Sequence, residues 1–272
     1  MGNDKRVKIT SIPEKLDNDL LKHLVIIDGE IYVRHFLCSS FLPVEPLNES
    51  SNNFFVNQTY HTNIRLYKEC LKNEDYDGLF LHIEKQYRLV WFIKNYKRIY
   101  LDVGEKKYYN LLRGVLDIVD IHYNTKKHYT KLLNLGNDPH LLMSSYERNY
   151  FDKLPNEFKI YRGVSSKTKL SKKDIVKFIG NSWTIDKKIS IWFSGFQSKH
   201  YQEGYYYLLE YNINKEIVLS YFSQRKEKEI FIDYTKIDIT KISITTLDKE
   251  VVSNTLTKGL ITSNKLIYKL IK

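Results

Sequence analysis

The sequence predicts an α+β protein, mainly helical over residues 1–153 and mainly sheet over residues 154–272. Three observations carry that expectation. From about Tyr60 to Tyr150 the apolar residues recur at helical spacing. After Pro155 they recur in short alternating runs rich in Ile, Tyr and Phe. The composition, 42% hydrophobic and 28% charged, is that of a globular chain able to bury a core, and 272 residues suffice for one or two domains.

Taken in order, residues 24–37 read as two short strands around Asp28-Gly29, and Asn48 to Asn53 as a polar loop. Leu79, Ile83, Tyr87 and Val90 then fall at i, i+4, i+8 and i+11, and Leu111, Leu112, Val115, Ile118 and Val119 form a second amphipathic stripe. A helix from Ser144 through Tyr150 starts at a capping box, with Ser144 as N-cap and Glu147 three residues on, and stops before Pro155. Strands follow at 158–162, 182–185, 205–213, 216–222, 229–234 and 242–247. One helix interrupts them from Asp186 to Ser194, where Asp186 caps and Ile189, Trp192 and Phe193 face the core.

Composition excludes several classes. Cys38 and Cys70, expected as buried thiols, are too few and too isolated for a disulfide framework or a metal-ligand pair. The eight histidines show no HxxxH or HExxH spacing, so a metal-free site is expected. No apolar stretch approaches the ~20 residues that cross a bilayer. Position 6 is Arg6 where a myristoylation signal after Gly2 wants Ser or Thr. A cytoplasmic protein with no membrane partner is therefore expected. The net charge of +11 is uneven: residues 1–150 carry 21 basic and 19 acidic side chains, residues 151–272 carry 22 and 13. That field draws phosphate-bearing ligands or nucleic acid toward the C-terminal part.

Three short constellations in the β-rich part bear chemistry. Ile160-Tyr161-Arg162-Gly163-Val164 ends an apolar strand on an arginine, which binds a diphosphate bidentately, followed by a glycine that lets backbone approach a planar ligand. Gly180-Asn181-Ser182-Trp183-Thr184 alternates small hydroxyls with an aromatic, so that on a strand Ser182 and Thr184 share one face and can orient a carboxylate or a ribose. Glu227-Lys228-Glu229 places two carboxylates at i and i+2 where an apolar strand begins, which on a strand points both the same way. Each is common taken alone.

In this order, however, LPNEFKIYRGV (154–164), GNSWTIDKKISIWFS (180–194) and EKEIFIDY (227–234) resemble the Arg-Ser-Glu class of ADP-ribosyltransferases, in its phage and bacterial members. The resemblance covers residues 154–247. It implies a split β-sandwich catalytic domain over 154–272 behind a helical region over 1–153, and an NAD-consuming pentosyl transfer. By the same resemblance Arg162 holds the NAD phosphates and ribose, Gly163 meets the nicotinamide amide, and Ser182 fixes the catalytic Glu229. Thr184 keeps the second hydroxyl of the motif, and Glu227 positions or deprotonates the acceptor. An aromatic stacks on nicotinamide, with Phe193, Phe196, Tyr221 and Phe222 as candidates. Acceptor choice falls to the segment Tyr221 to Lys226.

The implied function is mono-ADP-ribosylation of a macromolecule, a protein arginine in preference to nucleic acid, by a toxin or phage effector. Glu227 favours the arginine, whereas the basic C-terminal part, with Tyr221 and Phe222 beside Arg225 and Lys226, permits RNA or DNA. A catalytically silent nucleotide- or nucleic-acid-binding module, and a simple NAD glycohydrolase, remain as alternatives.

Overall fold

The computed structural model describes residues 14–117, 126–201, 204–223 and 227–256. It is mixed helix and sheet, with a mainly helical N-terminal region and antiparallel sheets, and its chain divides into two compact units, Met1–Ile121 and His122–Lys272. The sequence-based boundary lay at 153/154; the structure groups residues 126–152 with the second unit. Among the described residues no helix is long and apolar enough to cross a membrane.

The first unit opens with a short helix α1 (Asn18–Leu21) and a hairpin of β1 (Leu24–Ile27) and β2 (Glu30–His35), to which β3 (Cys38–Ser39) adds antiparallel. Asp28 and Gly29 both have positive φ, 51° and 85°, the mirror-image turn that matches strand twist and favours an Asp-Gly pair. Three helices follow, α2 (Ser51–Lys72), α3 (Tyr76–His82) and α4 (Lys85–Leu116). Of the segment expected as a loop, Asn48 to Asn53, the first half is non-helical and Ser51 to Asn53 form the first turn of α2. The Ser50 hydroxyl accepts from the Asn53 N–H, while the buried Asn53 side chain bonds Glu45 and Asn48.

The stripe Leu79, Ile83, Tyr87 and Val90 does not lie on one helix. Ile83 is extended between α3 and α4, and Val90 is 46% exposed, because the face of α4 that packs is that of Leu89, Phe92 and Ile99. Gly104 (φ 75°, ψ 170°) breaks α4 into two helical pieces. Leu111, Leu112 and Val115 are buried as expected; Ile118 and Val119 lie outside the described residues. Cys38 is buried, but Cys70 is only half-buried, since it lies in the last turn of α2 near the exposed Asp75 carboxylate.

The second unit begins with α5 (Lys126–Leu133) and α6 (Ser145–Asp152), the latter closed by the Ser144–Glu147 capping box. Then come β4 (Glu157–Ser166), β5 (Ser182–Thr184), α7 (Lys187–Tyr201), β6 (Tyr205–Asn214), β7 (Val218–Phe222), β8 (Glu229–Ile232) and β9 (Ser243–Leu247), with a last helix described over 249–256. The strands form one antiparallel sheet in the order β7-β8-β5-β4-β6-β9. Every strand expected from the sequence is present.

Period-two alternation gives this sheet two distinct faces. Ile160, Val164, Trp183, Leu209, Ile230 and Ile232 form the core on one face, backed by Phe151 of α6. Trp183 is 2% exposed with its Nε1 donating to the Gly180 carbonyl at 2.9 Å. Truncating such a residue costs about 3–5 kcal/mol. The other face carries Gly163, Ser182, Thr184, Glu229 and Phe231, with α7 packed on β4 and Tyr129 of α5 near Phe231, ring centroids 6.4 Å apart.

Candidate functional site

Ser182 and Glu229 meet. Register pairs Ser182 with Phe231 and Thr184 with Glu229 across β5 and β8, so these side chains share a face, and the Ser182 hydroxyl donates to a carboxylate oxygen of Glu229. Both are half-buried, placing a carboxylate where water is partly excluded and its electrostatic effect on a neighbouring cation grows. Asn181 fixes the start of β5. Its side-chain amide donates to the Ile232 carbonyl at 2.9 Å and to the Thr130 hydroxyl of α5 at 3.0 Å, while its backbone carbonyl accepts from the Ile232 N–H at 2.9 Å.

Arg162 reaches the same place from β4. By alternation it shares the face of Ile160 and Val164, opposite that of Glu229, yet its guanidinium extends beside the start of β5. Its Nε donates to the Phe178 carbonyl at 2.8 Å and a terminal nitrogen to the Ser182 carbonyl. Gly180 makes room for it: a Cβ there would stand 3.3 Å from the guanidinium. Ser182 thus holds both partners, the arginine through its backbone and the glutamate through its hydroxyl.

Gly163 has a packing reason of its own. A Cβ at 163 would overlap the backbone carbonyl oxygen of Ser190 and stand 2.7 Å from its carbon and 2.8 Å from the Ser194 nitrogen. Strand β4 and helix α7 therefore touch backbone to backbone, with the small Ser190 and Ser194, 1% and 0% exposed, along the contact.

Thr184 is 5% exposed, and its hydroxyl is turned to the chain, donating to the Glu227 carbonyl at 2.6 Å and accepting from the Asp186 N–H at 3.0 Å. It positions the segment before β8. Asp186 caps α7 through the Lys188 N–H at 3.0 Å and pairs with Lys228 at 3.2 Å. Burial acts to raise the Asp186 carboxyl, but the bonds from Lys228 and the backbone of Lys188 and Ile189 outweigh it and hold the group below its ordinary value.

The expectation that Glu227 and Glu229 point the same way is corrected. Strand β8 starts at Glu229, and Lys228 before it is left-handed, with φ 46°, so alternation does not extend back to Glu227. The two carboxylates belong to a turn and to a strand respectively, joined by a residue in a conformation that L side chains rarely adopt.

The four aromatic candidates separate. Tyr221 is 2% exposed and stacks on Tyr150 at 4.9 Å in the core, and Phe222 is buried against Phe231 at 4.9 Å. Phe193 is half-buried and meets Trp192 edge-on at 5.1 Å, whereas the more exposed Phe196 stacks on Trp192 at 4.7 Å. The step of about 100° per helical residue sets Lys187 and Phe193 on opposite flanks of the Ser190–Ser194 line. Lys187 reaches Glu210 of β6 at 3.1 Å. Arg225 and Lys226, ahead of Glu227, lie outside the described residues.

Residues for which the sequence suggests no role of their own also build this site. Gly180, Asn181 and the Phe178 carbonyl shape the place for Arg162 and Ser182, and only their position just ahead of Ser182 pointed to them. Comparison of the chain with protein-family models, with curated proteins and with solved structures finds no match.

Proposed function

We propose that the second unit is a mono-ADP-ribosyltransferase that cleaves NAD and transfers ADP-ribose to a macromolecular acceptor, a protein arginine in preference to nucleic acid. The observation that carries the reading is the chain of contacts from Arg162 through Ser182 to Glu229. The sheet supports it further. Strands β4 and β5 share the single register pair Tyr161–Thr184, the narrowest pairing within the six-stranded sheet, and this supports reading the domain as a split β-sandwich.

In this reading the bond between the ribose anomeric carbon and the nicotinamide nitrogen breaks, and its electron pair leaves with nicotinamide. Positive charge develops on the ribose, and the Glu229 carboxylate, oriented by Ser182, stabilises it. Arg162 binds the phosphates, and Phe193 on the flank of α7 covers the nicotinamide ring. An acceptor guanidine nitrogen then bonds to the anomeric carbon and gives up a proton, which Glu227 receives; such general-base help contributes about 10²–10⁴-fold.

The test uses labelled NAD with a cell lysate, the label being followed into protein, nucleic acid and free ADP-ribose. Glu229→Gln is expected to abolish NAD cleavage with an unchanged melting curve; full activity in that variant rules the assignment out. Glu227→Gln is expected to impair transfer more than hydrolysis, and equal loss of both removes Glu227 from the acceptor step.

A further inference from the structure

One residue separates Glu227 from Glu229, so the conformation of Lys228 sets where the first carboxylate stands relative to the second. An extended Lys228 would put both on one face; a φ of 46° does not. Lysine has no preference for that region, which Gly, Asn and Asp enter far more readily, so neighbouring groups have to hold it there.

Those groups come from three consecutive residues at the end of β5 and the start of α7. The Thr184 hydroxyl donates to the Glu227 carbonyl at 2.6 Å, and the Ile185 N–H donates to the Lys228 carbonyl at 3.2 Å. These two bonds fix the peptide groups on either side of Lys228. The third fixes its side chain, whose ammonium donates to Oδ2 of Asp186 at 3.2 Å. The other oxygen, Oδ1, accepts from the Lys188 N–H at 3.0 Å in the first turn of α7. A helix cap needs only Oδ1, and asparagine caps as well as aspartate does. Stability does not call for the charge either: the side chains of Lys228 and Asp186 are 48% and 27% exposed, and ion pairs so open to water contribute little. What the charge adds is a fixed place for the residue between the two acids.

We propose that Asp186 is a positioning residue for the acceptor half of the reaction, acting through Lys228 to keep Glu227 off the strand face of Glu229; this rests on the reading of Glu229 and Glu227 as the reacting pair. Each carboxylate then serves its own atom, Glu229 the ribose carbon and Glu227 the acceptor nitrogen.

The test measures NAD hydrolysis and transfer separately, with free arginine and with lysate protein as acceptors, in the full chain and its Asp186→Asn, Lys228→Met and doubly substituted variants. Asp186→Asn keeps the cap and removes the charge. Each single variant is expected to lose transfer about 3–5-fold, through kcat and not through the KM for arginine, with hydrolysis within about twofold. Melting curves are expected to agree within about two degrees. The double variant is expected to match either single one, because each breaks the same pair. Should hydrolysis and transfer fall in the same proportion, should the losses multiply in the double variant, or should transfer not change in either single variant, the proposal is overturned while the transferase reading stands. Cleavage of NAD with no transfer to either acceptor overturns it as well and leaves Glu229 its part in the cleavage. Absence of NAD turnover in the unaltered chain overturns both.

Discussion

At the scale of single residues, the Ser182 hydroxyl makes the sharpest prediction. Ser182→Ala leaves its carbonyl to hold Arg162 and removes only the donor to Glu229, so kcat for NAD cleavage is expected to fall about tenfold or more with little change in the KM for NAD. A matching rise in KM instead would assign Ser182 to binding. His35 makes a second prediction, on stability. Burial, then the positive charge of His23 and Lys22, lowers it from its ordinary 6.5 to about 4, against the weaker pull of Asp19, and its Nδ1 accepts from the Leu37 N–H at 3.2 Å. Between those two pH values the unfolded chain binds a proton that the folded chain does not. Stability is therefore full above pH 6.5 and lost as pH falls toward about 4, by about 3 kcal/mol at most. Denaturant midpoints at pH 7, 5.5 and 4 measure this, and His35→Gln is expected to flatten the slope; an unchanged slope would place the titration elsewhere. Arg162, Ser182 and Glu229 were legible because their order along the chain is informative even when each alone is not. The second partner of Glu147 was not legible: the capping box is a local pattern, but its contact with Ser223 spans 76 positions and exists only once α6 lies against β7.

At the scale of elements, the contact between β4 and α7 is the least forgiving. Gly163→Ala drives a Cβ into the Ser190 carbonyl, backbone against backbone with no side chain to swing aside, and is expected to cost about 3 kcal/mol or more, seen as a drop in Tm. A Tm within a degree of the unaltered chain would mean that α7 shifts freely. The strands could be read from sequence because they are short runs rich in β-branched and aromatic residues, β7 and β8 being buried along nearly their whole length. The helices of the first unit were harder. The break at Ile83 keeps apolar spacing across two helices, so periodicity runs on through it, and Ser50 caps a helix whose first turn is all polar and resembles a loop. Lys228 hid the departure of Glu227 from the strand for a related reason, since nothing about a lysine announces a positive φ.

At the scale of the whole molecule, charge divides as the contacts do. Residues 1–121 hold 17 basic and 17 acidic side chains, and residues 122–272 hold 26 and 15, so the entire +11 belongs to the second unit. Lys167, Lys169, Lys172 and Lys173 stand exposed on the connection between β4 and β5 that also supplies the carbonyls around Arg162. Association with a polyanion is therefore expected to weaken steeply with salt. A labelling reaction confined to nucleic acid and abolished between about 50 and 200 mM salt would move the acceptor from protein to RNA or DNA. The backbone contact at Gly163 bears on descent as well as on stability. Because that glycine is demanded by the approach of α7, it will persist in any copy of this chain that still folds, including copies that have lost their chemistry. In sorting working copies from decayed ones, that glycine is thus a poor witness, and an intact arginine, serine and glutamate at positions 162, 182 and 229 are the evidence to look for.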